Sequence, residues 1–326
     1  MFVPHSFAVA LVMMVMSTLC WGSWANTYKL IPNYRFELAY WDYSIGVVLT
    51  SLVFAFTLGS AGGKYSFAHN LHTAAGSNLA YAFIGGFIFN IANLLLVAGV
   101  AITGLAVAFP LSIGIALVEG VALSYAIQPK GDPALLSLGV CAAVLAVILV
   151  GKAYGNLPRQ DTSTSRRGVV LCIVSGFLMG AFAPFNARAL TSSHPLTPYS
   201  INVLFSMGAF AACMVFNPYL MKRPLTGSPV AFAGYLKATP WQHAMGLASG
   251  AIWGVGMIFN LVAASLVGMS ISYAIGQASP MVAAIWGVFV FHEFRHAGKR
   301  AKIYLAGMFL CYLLALMMIS QARPAS

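Results

Sequence analysis

The chain has 326 residues, 60% of them hydrophobic and 7% charged, with 17 Lys and Arg against 6 Asp and Glu for a net charge of +11. This composition excludes a water-soluble domain: apolar runs of about 20 residues, enough to cross about 30 Å of hydrocarbon, recur along nearly the whole length. The basic residues sit in short connectors between the runs, where they set orientation, so the partners expected are the lipid bilayer and a small solute, with no nucleic acid.

In chain order the runs predict ten transmembrane helices at about 6–28, 39–60, 76–100, 103–127, 133–153, 168–190, 198–220, 241–265, 268–291 and 301–321. The first lacks the basic head of a cleaved signal peptide and continues into a tryptophan motif, so it reads as a permanent span. Cys20, Cys141, Cys172, Cys213 and Cys311 all fall inside apolar runs without metal spacing and read as small packing residues. A polar stretch at 155–167 separates the fifth span from the sixth and reads as a linker between a first five-helix repeat, 1–154, and a second, 168–326.

An odd number of spans per half inverts the second half relative to the first, giving an all-α membrane protein of two inverted five-helix repeats. One offset lays Ile88 over Ile252, Gly104 over Gly268 and Leu105–Phe109 over Met269–Tyr273. A similar offset lays Asn26 over Asn186 and Leu30 over Leu190, and the common order of these matches carries the repeat. Lys29, Arg35, Lys152, Arg159, Arg166, Arg167, Lys222, Arg223, Lys237, Arg295, Lys299, Arg300 and Lys302 gather on one side, against Lys64, Lys130, Arg188 and Arg323 on the other. The first side is expected to face the cytoplasm, with both termini outside an inner or plasma membrane.

Ten spans in two inverted halves, with Trp21-Gly22-Ser23-Trp24 ending the first span and a glycine-rich third and fourth pair, resemble the drug/metabolite transporter superfamily. Within it, Cys20–Asn26 and Glu37–Gly46, which includes ELAYWDY, resemble the bacterial sugar-uptake and rhamnose-proton symporter branch and the related ureide permeases. The resemblance implies alternating-access transport of a small polar organic solute, often with proton coupling. It does not name the solute.

Polar side chains inside spans face other helices or a wet cavity, so they are the first candidates for solute binding. Asn90 and Asn93 share a helix face, as do Trp253 and Asn260; Tyr273, Gln277 and Pro280 form a third face, and Ser17, Trp21 and Trp24 a fourth. These faces are expected to line one cavity. Amides offer donors and an acceptor, and Trp and Tyr faces pack on a sugar's apolar side or a flat base; the alternative is interhelical glue with interfacial aromatic belts.

Glu119 is the one acid well inside a span, roughly four residues or about 6 Å from its middle, and reads as a proton-coupling group or as a neutral acid bonded to a neighbouring helix. Glu37 and Asp42 open the second span near Arg35 and Trp41, as a surface ion pair with an interfacial anchor or as a gate. Pro110, Pro184 and Pro280 interrupt the fourth, sixth and ninth spans as hinges or packing kinks.

His292-Glu293-Phe294-Arg295-His296 spells H-E-x-x-H, which on a helix holds zinc, but it sits at a span end beside a basic cluster, without a convincing third ligand. His69 and His72 read as solvated loop residues. No phosphate loop is present, so direct ATP drive is not expected; neither is a cofactor or a metal. The leading reading is a proton-coupled importer of a sugar. The alternatives are a ureide or nucleobase permease, a drug or metabolite exporter, an intramembrane zinc protease and a non-transporting sensor. A fused pair of halves needs no partner chain, so a monomer is expected.

Overall fold

Hydrocarbon offers backbone groups no hydrogen-bonding partner, so each apolar run must satisfy its own amides, and helices result. The computed structural model describes residues 1–61, 66–157, 166–224 and 227–323. Lys64, Arg159 and the centre of the 155–167 linker lie outside the described residues. Among those residues no strand occurs, and ten helical segments are long and apolar enough to span a membrane.

The helices are α1 Phe7–Ser23, which runs on as a 3-10 turn at Trp24–Leu30, α2 Phe36–Phe56, the short α3 Phe67–Thr73, α4 Gly76–Thr103 and α5 Leu105–Ile127. After them come α6 Pro133–Gly155, α7 Arg166–Thr191, α8 Pro198–Lys222, the short α9 Phe232–Leu236, α10 Pro240–Val267, α11 Met269–Gly276, α12 Ser279–Ile285 and α13 Lys299–Gln321. Local chemistry sets several starts. Asp132 Oδ1 accepts from the amides of Ala134 and Leu135 ahead of α6, and Thr197 caps α8; in both cases proline follows at the first helical position, where its missing N–H costs nothing.

The two glycines that a single sequence offset lays over each other do matching work. Gly104 and Gly268 adopt φ of 73° and 95°, a left-handed conformation that lets α4 meet α5, and α10 meet α11, through a single residue.

The second span begins at Phe36, within a turn of the expected start, which places Glu37 in its first turn. The ninth span is interrupted next to Pro280, as the sequence leads one to expect. It breaks at Gln277 and Ala278, resumes as α12 with Pro280 in the first turn, and ends in a π-helical turn at Trp286–Val290, because proline cannot donate to the preceding turn and clashes with it. His69 and His72 lie exposed on α3 rather than in a loop.

The described residues gather into two compact units, 1–91 with 185–266 and 92–184 with 267–326, so each unit takes helices from both halves of the sequence. In the first unit α2 and α8 run antiparallel. Ser51 and Ser206 share a hydrogen bond of 2.7 Å at one level, and Asn217 Nδ2 donates to Glu37 O at 2.8 Å at another. Glycines let helices in this unit touch backbone to backbone: Gly46 lies on Leu247 O and Gly250 on Tyr43 O where α2 meets α10. The same crossing recurs where α8 meets α4, with Gly208 on Phe83 O and Gly86 on Phe205 O.

In the second unit α6 packs on α5 and α13. A Cβ at Gly139 would lie 2.5 Å from Ile319 Cγ1, and Asp132 N donates to Ala322 O at 3.0 Å. Large apolar side chains such as Val12, Val53, Phe289 and Leu310 stay exposed, as lipid-facing positions must. Cys141 belongs with them. It is exposed on the groove between α5 and α6 rather than packed inside, unlike Cys172 and Cys213.

Candidate functional site

In the first unit the site is built around Trp253, which α10 holds 5% exposed. α1 delivers Trp21, stacked on Trp253 with centroids 6.0 Å apart; Gly256, one turn along α10, makes room, since a Cβ there would lie 2.7 Å from Trp21 Cδ1. α4 adds Phe89 at 4.7 Å, α8 adds Phe205 at 6.0 Å, and α2 adds Tyr43 at 6.4 Å. Trp24 packs at 5.0 Å on Tyr43, and its carbonyl accepts from Ser249 Oγ, which pins the 3-10 turn to α10. Tyr40 stacks on Tyr43 at 5.1 Å and donates to Asn90 Oδ1 at 2.6 Å.

The polar edges of this cluster are unsatisfied. Trp21 Nε1, Tyr43 Oη and Asn90 Nδ2 have no hydrogen-bond partner among the described residues, nor do Ser17 Oγ on α1 and both amide atoms of Asn202 on α8. An unmet buried polar atom costs about 1–3 kcal/mol, so several around one aromatic cluster call for a ligand or ordered water. The first three share one character: each can donate, and two of them can only donate.

The structure therefore brings Trp21, Trp24, Trp253 and Asn90 together. Asn260 is buried two turns beyond Trp253 on the same helix. Asn93, Tyr273, Gln277 and Glu119 belong to the second unit. There Tyr273 is fully buried, donates to Ala116 O at 3.3 Å and meets Phe182 edge-on at 5.4 Å. Glu119 lies against Gly180, where a Cβ would approach its Oε2 to 2.7 Å, and that oxygen has no hydrogen-bond partner among the described residues.

Tyr40, Tyr43, Phe89, Phe205 and Asn202 escaped the reading of spans. The three-residue spacing of Tyr40 and Tyr43 within ELAYWDY was an available signal; for Phe89 and Phe205, two of 22 phenylalanines, there was none.

The two acids at the start of α2 part company. Glu37 forms a two-pronged pair with Arg35, at 3.1 Å from Nε and 2.8 Å from Nη2, while Arg35 Nη1 donates to Ser228 O at 2.8 Å. Asp42 does not share that pair and is no surface anchor. It is 2% exposed, accepts from Tyr235 Oη of α9 at 2.8 Å, and has both carboxylate oxygens 2.9–3.0 Å from His243 Nδ1 of α10. Burial first, and then the bond to Asp42, raises the Tyr235 phenol above its ordinary range; burial and the Asp42 charge do the same to Tyr34.

The H-E-x-x-H segment does not form the helix that zinc binding needs. His292 adopts φ of 53°, Glu293 N donates to Gly287 O across a turn, and Glu293 Oε2 accepts from Tyr154 Oη at 3.3 Å. Among the described residues no three His, Cys, Asp or Glu are placed to hold a metal.

Against known proteins, the ureide permease family model matches residues 159–322, half of the chain. Ureide permease 1 of Arabidopsis thaliana is 22% identical, covering 97% of this chain and 97% of its own length, and ureide permease 4 of the same plant is 24% identical with the same coverage. One solved crystal structure superposes with a TM-score of 0.61 over 96% of this chain and 98% of its own at 12% identity, which shows a shared fold. The chain thus belongs to the ureide permease family and is a multi-pass membrane transporter of small solutes, not an enzyme.

Proposed function

We propose that this permease carries ureides and related flat heterocyclic amides, and that the solute meets the aromatic cluster of the first unit. The carrying observation is the set of unmet donors, Trp21 Nε1, Asn90 Nδ2 and Tyr43 Oη, beside stacked rings. The carbonyl oxygens of a ureide or nucleobase can accept from these donors. The ring faces of Trp21 and Trp253 suit a planar heterocycle. The names of the Arabidopsis relatives point the same way.

In this reading residues 1–154 and 168–326 are inverted repeats that alternate access in a cytoplasmic or plasma membrane, with both termini outside. The recurrence of the Gly46–Gly250 crossing at Gly208–Gly86 supports the duplication.

The test is uptake into proteoliposomes of labelled allantoin, uracil and rhamnose, with thermal-shift titrations of the same solutes, since a bound solute stabilises by mass action. Allantoin or uracil should be taken up and should raise the melting temperature, and Trp253→Ala should abolish both effects. Accumulation of rhamnose alone would return the protein to the sugar reading.

A further inference from the structure

Asp42 and His243 stand 201 positions apart in sequence and meet at the contact of α2 with α10. A Cβ at Gly246 would lie 2.5 Å from Asp42 Cβ, so this glycine, one turn past His243, lets the helices close until carboxylate and imidazole touch. Access to the pair is graded: the Asp42 side chain is 3% exposed and that of His243 29%. Over it lies α9, held by Tyr235 on Asp42, by Phe232 edge-on against Trp41 at 5.8 Å, and by the Arg35 bond to Ser228 O in the segment before α9.

The pair occurs once. The overlay that sets Gly46 on Gly208 and Gly250 on Gly86 puts Leu204 where Asp42 stands and Leu79 where His243 stands. A contact made only to hold helices together would serve equally with leucines.

We propose that Asp42 and His243 form the proton-loading site of this permease, sealed by α9. The inference rests on the permease reading and deepens it by naming where the proton sits. His243 Nδ1–H donates to Asp42, and the incoming proton binds Nε2 from the water side. Imidazole becomes imidazolium, and the pair changes from a net charge of −1 to neutral.

A buried net charge is costly, and a neutral imidazolium–carboxylate pair far less so. The pair is therefore sealed under α9 when loaded and needs water when empty, which is the selection rule that coupled transport requires. The other titratable groups within reach of Asp42 are Tyr235 on α9, Tyr34 in the connector before α2 and Tyr28 in the 3-10 turn, while Glu37 is occupied by Arg35.

The experiment has two arms on the full chain. In proteoliposomes, the ratio of allantoin accumulated with and without an inside-alkaline gradient of one pH unit should approach about tenfold at one proton per solute, and fall to about one in Asp42→Asn and in His243→Gln. The double variant should lose no more than either single one. A wild-type ratio in both single variants, additive losses in the double, or a loss confined to Glu119→Gln would overturn the assignment.

The second arm needs no solute. Hydrogen exchange of residues 227–240, corrected for its intrinsic pH dependence, should quicken in the wild type as pH rises and the pair gives up its proton, and stay flat in Asp42→Asn. Equal pH dependence in the two proteins would overturn the proposal. If the wild type does not move allantoin, the solute reading fails while this arm still decides the proton site.

Discussion

Gly246→Ala tests the closeness of α2 and α10 with a single methyl group. Its Cβ would lie 2.5 Å from Asp42 Cβ and 3.2 Å from both Ala39 O and Asp42 Oδ2. Two carbons sit comfortably at about 3.6 Å, and Asp42 Cβ is fixed to its backbone, so the helices must part by about 1.1 Å. Overpacking of this kind costs about 1–3 kcal/mol. The same shift stretches the His243 Nδ1 contacts, now 2.9–3.0 Å, toward 4 Å, beyond hydrogen-bonding reach.

Gly254→Ala supplies the comparison. It lies two turns along on the same helix, but its Cβ would be 3.2 Å from Thr50 Cβ and 3.3 Å from Thr50 Cγ2, which a few tenths of an ångström relieves. Gly114→Ala meets nothing within 4 Å and should be stabilising by about 0.4–1 kcal/mol through the unfolded chain. Thermal unfolding in detergent should rank Gly114→Ala above wild type, Gly254→Ala just below it, and Gly246→Ala clearly lowest. Equal melting temperatures for Gly246→Ala and Gly254→Ala would refute the argument from helix contact.

Further outcomes follow from single contacts. Trp253→Ala removes the ring that touches Trp21, Tyr43, Phe89 and Phe205, and should cost about 3–5 kcal/mol in denaturant unfolding, with Trp253→Phe recovering part of it. Asn90→Leu removes the acceptor of the 2.6 Å bond from the Tyr40 hydroxyl and should cost about 1–3 kcal/mol; Asn90→Leu with Tyr40→Phe should cost less than the sum of the two single changes, and strict additivity would break the link. Tyr34 and Tyr235 have raised phenol pKa values, so their contribution to stability is complete below the unfolded value near 10 and is lost as pH rises through the folded values. Alkaline unfolding should accordingly be shallower in Tyr235→Phe. A membrane-permeant maleimide should label Cys141 well before buried Cys172 and Cys213.

The spans are legible in residue order alone, because hydrocarbon acts on each run separately and demands that it satisfy its own backbone. The two glycine connectors are legible as well: Gly104 and Gly268 fall together at one sequence offset, and only glycine takes their positive φ without strain. Tertiary structure alone decided which faces meet. Helices apolar nearly all round give periodicity little to point at, so neither the interleaving of the halves in two units nor the ring of Tyr43, Phe89 and Phe205 around Trp253 was legible.

Asp42 is the sharpest case. Three residues from Ala39 and five from Glu37, it reads in sequence as part of a surface ion pair or a gate, because Arg35 is the cation nearest to it along the chain. Its partner instead came from a histidine 201 positions away, brought within 3.0 Å by a glycine-to-backbone approach that no reading of hydropathy contains.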